Sequence, residues 1–191
     1  MEKIKIIAIV GSLRRDSFNR QLAMEAGKII ESLAAENPAD FEILDYSDVP
    51  FFNQDIERPA PDAVKRVRGI IQGASGIWFF SPEYNHFFPG VLKNLIDWLS
   101  RPVSDTEAQV LGGKAAAVSG ISPGLSGTLN AQDHLVTMIS FLNMKVMNLP
   151  RLTIPSALQQ TDQDGRLALT SSAPFLEKQA QAFLHFVRNN I

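Results

Sequence analysis

Three loops hold the residues with chemical potential in this 191-residue chain. The first, Gly11 to Arg20 (GSLRRDSFNR), joins an Ile/Val run to a helical pattern. Small residues let the backbone approach a ligand there, and amides at a helix N-terminus point at an anion, which is how a phosphate is bound. Ser12, Ser17 and Asn19 offer neutral hydrogen bonds, and Arg14 or Arg15 offers charge and a planar fork. The plainer alternative is an ordinary helix start, with Asp16 or Ser17 capping the first turn and both arginines in water. The loop lacks G-x-x-x-x-G-K-[ST], which removes the nucleoside-triphosphatase loop. It also lacks G-x-G-x-x-G, which disfavours a dinucleotide in the first turn and leaves a mononucleotide phosphate.

The second loop, Ser81 to Gly90 (SPEYNHFFPG), is stiffened at its ends by Pro82 and Pro89. Its aromatic density (Tyr84, His86, Phe87 and Phe88) suits a flat aromatic ligand, although Phe87 and Phe88 are expected to pack into the core or a subunit interface. His86 has no second histidine or acidic partner at metal-ligand spacing. The third loop, Ser119 to Thr128 (SGISPGLSGT), is a tight, backbone-rich turn suited to the polar edge of a planar ring.

These loops must be positioned by the elements around them. Lys3 to Val10 reads as a strand buried on both faces, and Phe18, Leu22, Ala26, Ile29, Ile30 and Leu33 recur at helical spacing up to Asn37-Pro38. Phe41 to Tyr46 is a second strand, followed by a long polar, proline-containing loop from Ser47 to Pro61. A helix at Asp62 to Gln72, a strand at Gly76 to Ser81, a helix at Pro89 to Ser100 and a strand at Lys114 to Ser119 come next. A helix through Leu135, Met138, Ile139 and Leu142, a fifth strand at Lys145 to Ile154 and a last helix at Pro174 to Asn189 complete the order. Five strands alternating with five helices predict an α/β, flavodoxin-like, three-layer doubly wound fold with a five-stranded parallel sheet in the order 2-1-3-4-5. One domain over residues 1–191 is expected. In such sheets ligands sit beyond the carboxyl ends of the strands, where the three loops fall.

The helix Pro89 to Ser100 is apolar on more than one face, through Leu92, Leu95, Ile96, Trp98 and Leu99. A second copy of the chain, meeting this helix and the one carrying Leu135 and Met138, is the expected cover for the extra face. The alternative is that the Ser47 to Pro61 loop folds back over it.

Composition narrows the chemistry. With no cysteine, the chain has no thiolate metal site, iron–sulfur cluster or thiol nucleophile, so redox chemistry requires a bound cofactor. A formal net charge of -2 gives no global basic field, so nucleic acid is not an expected partner. No apolar run reaches the length of a membrane span, so no membrane association and a cytoplasmic location are expected.

Taken in this order, GSLRRDSFNR, SPEYNHFFPGVLKNLIDWLSRP and SPGLSGT closely resemble the NADPH-dependent FMN reductase family, and within it the bacterial quinone and chromate reductase branch. The resemblance covers nearly the whole chain, including PFFNQD at Pro50 to Asp55 and the pair His134-Leu135. It implies that Ser12, Leu13, Arg14, Ser17, Phe18 and Asn19 surround the phosphate of FMN and the start of its ribityl chain. It also implies that Pro82, Glu83, Tyr84 and Asn85 contact the isoalloxazine, largely through backbone amides, and that Ile121, Ser122 and Gly124 line its other side. The activity implied is electron transfer from NADPH or NADH, through FMN, to a quinone, free flavin, azo compound or metal oxyanion. The assembly implied is a homodimer or homotetramer. No side chain is expected to act as a catalytic nucleophile or obligatory acid, and no metal is expected. A flavodoxin-type electron carrier or flavin redox sensor with little turnover is the competing reading. The third loop departs from the family pattern of two glycines followed shortly by arginine: Gly127-Thr128 and Asn130 stand there, which bears on the second substrate and on tetramer contacts.

Overall fold

The run Ile4–Val10 becomes the central strand β1 because both its faces are apolar: Ile6, Ala8 and Val10 enter one layer, Ile7 and Ile9 the other. The computed structural model describes residues 2–191. β1 pairs in parallel with β2 (Ala39–Ile43) on one side and β3 (Gly76–Phe80) on the other, and β3 pairs with β4 (Ala115–Ile121). The predicted strand order, 2-1-3-4-5, is the observed one. Helices α1 (Phe18–Ser32) and α5 (Ala173–Arg188) cover one face of the sheet. Helices α2 (Asp62–Gln72), α3 (Gly90–Leu99) and α4 (Leu129–Phe141) cover the other. α5 lies so close on β3 that a Cβ at Gly76 would come within 2.6 Å of Val187 Cγ2. Among the described residues no helix is long and apolar enough to cross a membrane.

The fifth strand is not the continuous Lys145 to Ile154 expected. It is split into β5 (Lys145–Val146), beside Ala115 and Ala116, and β6 (Leu152–Ile154), beside Ser119 to Ile121. Pro150 has no N–H to give to a ladder, and the pairing lapses around it. Gln179, reaching down from α5, fills the gap: its Nε2 donates to both Val118 O and Pro150 O at 3.0 Å. Ser119 Oγ donates to Gln179 Oε1 at 2.6 Å and accepts from Trp78 Nε1 at 2.8 Å, so this buried polar network is satisfied. The second strand also begins and ends earlier than its apolar pattern indicates, and Tyr46 lies beyond it. The Tyr46 hydroxyl donates to Val10 O at 2.5 Å, and burial pushes its pKa well above that of an ordinary phenol.

The extra apolar face of α3 is covered within the chain, which overturns the expectation that a second copy covers Trp98. Trp98 is fully buried, and its Nε1 donates to Pro50 O at 2.8 Å. Asn94 Nδ2 donates to the same oxygen, and Asn94 Oδ1 accepts the Phe52 N–H at 2.7 Å. The Phe52 ring meets the indole edge-on at 4.9 Å, and Arg101 pairs with Glu57. The long loop, which contains one short 3₁₀ turn at Gln54–Ile56, is thereby strapped to α3.

Candidate functional site

The three loops meet beyond the carboxyl ends of β1, β3 and β4, and identifiable bonds hold them there. Gly11 N–H donates to Phe80 O, and Ser81 N–H to Ser119 O. Asn19, only 2% exposed, donates from Nδ2 to Ile121 O at 2.9 Å and accepts the Ile121 N–H at 3.1 Å. Both ends of its amide are therefore used to clamp the first loop to the third. Gly120 is required at this junction, because a Cβ would collide with Thr128 Oγ1 and Ser81 O.

Between the loops lies a cavity of about 190 Å³ lined by Arg14, Ser17, Phe18, Asn19, Pro82, Glu83, Tyr84, Ile121, Ser122 and Pro123. Ser12 and Leu13 line an adjoining, more open cavity of about 460 Å³, which Arg14 and Tyr84 share. Asn85 and Gly124 line neither: Asn85 sits in the turn beyond Tyr84, and Gly124 O accepts the Ser156 N–H.

The donors at the start of α1 suit an anion. Ser17 holds the N-cap position but makes no side-chain capping bond, and the first turn carries no acidic residue. Among the described residues nothing accepts the N–H groups of Phe18, Asn19 and Arg20, the open donors of that turn. Ser12 Oγ accepts the Arg14 N–H, and the Arg14 guanidinium lies 5.7 Å from the Phe18 ring centre. The capped helix start with Asp16 or Ser17 is thus not what forms. Hydroxyls, open amides and an arginine around one hollow fit a phosphate ester.

The second loop is a tight hairpin turn. Tyr84 and Phe87 exchange both N–H···O bonds, and Asn85 (φ 53) and His86 (φ 61) take the left-handed conformation that a two-residue turn requires. The Glu83 and Asn85 N–H groups have no acceptor among the described residues, and Glu83 lines the smaller cavity. Phe88 is buried as expected, whereas Phe87 is exposed and lies against His134 with ring centres 4.4 Å apart.

Glu83 spends its carboxylate on capping α4. Oε2 accepts the Ala131 N–H at 3.1 Å, and Oε1 accepts from Asn130 Nδ2 and Ser126 Oγ. Burial pushes its pKa up, but those three donors and nearby His86 outweigh it and hold the group below its ordinary 4.5. A carboxylate whose folded pKa is depressed adds stability above its unfolded pKa and loses it as pH falls through the folded value. Glu83→Gln should therefore be less stable than wild type at pH 7, with the gap in melting temperature closing as pH drops below 4.5.

Asn130, one of the departures in the third loop, also lies 3.0 Å from His86 Nδ1 and so ties the second loop to the start of α4. Thr128, the other, is fully buried at φ 79, a conformation that a β-branched residue adopts only under strain, and its Oγ1 receives Gln132 Nε2 at 3.1 Å. Residues not singled out as ligands also belong here. Phe51, on the strapped loop, together with Pro89, Gly90 and Val91 at the start of α3, walls the larger cavity. Their signal was the PFFNQD segment and the proline-glycine start of the helix.

The chain is similar along its length to known redox proteins. Residues 4–159 match the profile of the NADPH-dependent FMN reductase family. A 2-hydroxy-1,4-benzoquinone reductase of Burkholderia is 36% identical over 188 residues, covering 97% of each chain. An NAD(P)H-dependent FMN reductase of Pseudomonas aeruginosa is 37% identical, covering 98% of this chain and 97% of its own. The solved structure of FerB, a flavoenzyme NAD(P)H:(acceptor) oxidoreductase from Paracoccus denitrificans, superposes with a TM-score of 0.83 at 32% identity over 98% of both chains.

Proposed function

The chain belongs to the NADPH-dependent FMN reductase family, and from that premise we propose that the three-loop cleft is its FMN site, with the phosphate on the N-terminus of α1. The protein is an NAD(P)H-dependent oxidoreductase that uses FMN. FMN supplies, when bound, the two-electron chemistry, taking hydride from reduced nicotinamide and giving electrons to an acceptor. The chain's own part is placement. Ser12, Ser17, Arg14 and the open amides of α1 hold the phosphate, and the backbone amides of Glu83 and Asn85 face the polar edge of the ring. Pro82, Tyr84, Ile121 and Ser122 bound the ring, while Asn19 keeps the first and third loops at a fixed separation. Glu83 acts through its hold on α4 and does not exchange protons with substrate.

The observation that carries this reading is the uncapped start of α1 opening into a cavity lined by all three loops. Leu13, Phe51, Tyr84 and Val91 make the larger cavity apolar enough for a planar acceptor, and the names of the relatives favour a quinone. The competing electron-carrier reading fits less well, because a formal net charge of -2 gives little acidic surface for docking a basic partner. For assembly, the exposed Phe141 and the Phe87–His134 pair beside α4 favour a homodimer or homotetramer through that side. A reduced nicotinamide donor and a chain without cysteine suit a cytoplasmic setting.

The test is the FMN-loaded protein with NADPH and 1,4-benzoquinone. Oxidation should depend on both FMN and quinone. Initial rates at varied donor and acceptor should give parallel double-reciprocal lines, since both substrates use the larger cavity in turn. Intersecting lines would show separate sites, and a rate independent of FMN would remove the reading altogether.

A further inference from the structure

The chain has ten arginines. Six of them place the guanidinium on a carboxylate or a backbone carbonyl: Arg58, Arg66, Arg68, Arg101, Arg151 and Arg188. Among the described residues Arg14, Arg15, Arg20 and Arg166 have no such partner. Three of these four surround one cavity of about 280 Å³, on the side of the first loop that faces the end of β2. Three cations held around one cavity with a single carboxylate, Asp45, are under-compensated in the free protein and favoured once an anion arrives.

Arg14 also lines both cavities of the cofactor cleft, so its charge belongs to the cofactor phosphate. Arg15 and Arg20 line neither of those cavities, and the cofactor proposed above gives them nothing to bind. The one carboxylate on this wall is Asp45, and its Oδ1 is already taken by the Ser47 N–H at 3.1 Å and the Ser47 hydroxyl at 2.8 Å. Two open arginines against one engaged carboxylate leave a net attraction for a doubly charged group.

The cavity shares a wall with the apolar cavity of the cleft. Ser12, Leu13 and Arg14 line it and also line the apolar cavity beside Tyr84 and Phe51. A dinucleotide with its nicotinamide in that cavity would have the first loop beside it, with Arg15 and Arg20 on the loop's other side.

Resting on the FMN-dependent reading above, we propose that Arg15 and Arg20 form a second anion seat that takes the 2′-phosphate of the donor, so that this enzyme selects NADPH over NADH. Such a phosphate carries a charge of roughly -1.5 to -2 at pH 7, which NADH lacks. The fork of an arginine suits it better than a lysine would.

The experiment compares wild type, Arg15→Ala and Arg20→Ala as FMN-loaded proteins, with NADPH and NADH each at saturating 1,4-benzoquinone. The wild type should prefer NADPH. Each variant should lose about 10-fold in kcat/KM for NADPH, the loss of one charge-assisted hydrogen bond, while its NADH value and its FMN affinity stay as they were. A wild type without preference, or variants that keep it, overturns the proposal and leaves the FMN reading standing. Variants that weaken FMN but not riboflavin also overturn it, because the arginines would then serve the cofactor's own phosphate. If no form of the protein oxidises either donor, the FMN-dependent reading fails, and calorimetry with 2′,5′-ADP against 5′-AMP decides the seat alone. An Arg15- and Arg20-dependent preference for 2′,5′-ADP upholds it, and equal or absent binding sinks it.

Discussion

Trp98→Ala should destabilise the protein by about 3–5 kcal/mol, the range for emptying a buried tryptophan site. The indole is fully enclosed between α3 and the strapped loop, and it fixes that loop in two ways, by the Nε1 bond to Pro50 O and by the edge-on contact with Phe52. The loop's other anchors on this side are the Asn94 bonds to Pro50 and Phe52, the Arg101–Glu57 pair, whose Glu57 side chain is largely buried, and the exposed Arg58–Asp105 pair, which contributes little. Releasing it moves Phe51, which immediately follows the anchored Pro50 and walls the larger cavity. The variant should therefore show a higher KM for acceptor as well as an earlier denaturant midpoint. Trp98→Phe is the intermediate variant: it keeps an aromatic ring in the site but loses the N–H and part of the indole's volume, costing about 1–3 kcal/mol. A Trp98→Ala protein of nearly wild-type stability but altered mass would return the residue to a contact between copies.

That result bears on what the sequence discloses. The periodicities fixing α2 and β1 are local properties, and both elements lie where their apolar spacing puts them. The strand order follows from alternation and handedness, again without knowledge of any particular contact. What covers Trp98 is a different kind of question. An apolar second face demands burial, but the pattern does not distinguish a partner's surface from a distant loop of the same chain. The deciding bond joins residues 48 positions apart. The fifth strand failed for a similar reason: its apolar residues suit a strand throughout, while Pro150 breaks the ladder and a glutamine from α5 repairs it.

The candidate site shows the same division. Loop composition pointed to residues that the fold brings together, since Ser17 and Arg14 share a cavity with Tyr84 and Ile121. The roles of individual polar side chains were less legible, because composition gives a donor's presence and not its partner. Asn19 is spent on the Ile121 backbone and Glu83 on the α4 terminus, so both position the cleft through its framework. Thr128 shows how local departures are accommodated: its left-handed backbone is strained, and the glycine at position 120 leaves room for its hydroxyl.

Ser17→Asp should weaken FMN by about 100-fold or more, about 2.8 kcal/mol, while leaving riboflavin binding nearly unchanged. Ser17 occupies the N-cap of α1 without capping it, the amides of Phe18, Asn19 and Arg20 have no acceptor among the described residues, and Ser17, Phe18 and Asn19 line the smaller cavity. An aspartate there accepts those amides itself, as N-cap carboxylates do, and places a negative charge where the phosphate must sit. Two like charges about 4 Å apart repel by about 4 kcal/mol at an effective dielectric of 20, which exceeds the required loss even after partial screening by Arg14. The helix gains from the same change, about 0.3–1 kcal/mol from its dipole, so weaker binding cannot be blamed on unfolding. Ser17→Ala is the control: it removes a neutral hydroxyl, adds no charge, and should cost about 0.5–1.5 kcal/mol of FMN affinity. Titrating both flavins by fluorescence quenching reads the outcome directly. If Ser17→Asp binds FMN and riboflavin in the wild-type ratio, the phosphate does not sit on α1, and the seat must be sought among Arg15, Arg20 and Ser47 on the other side of the loop.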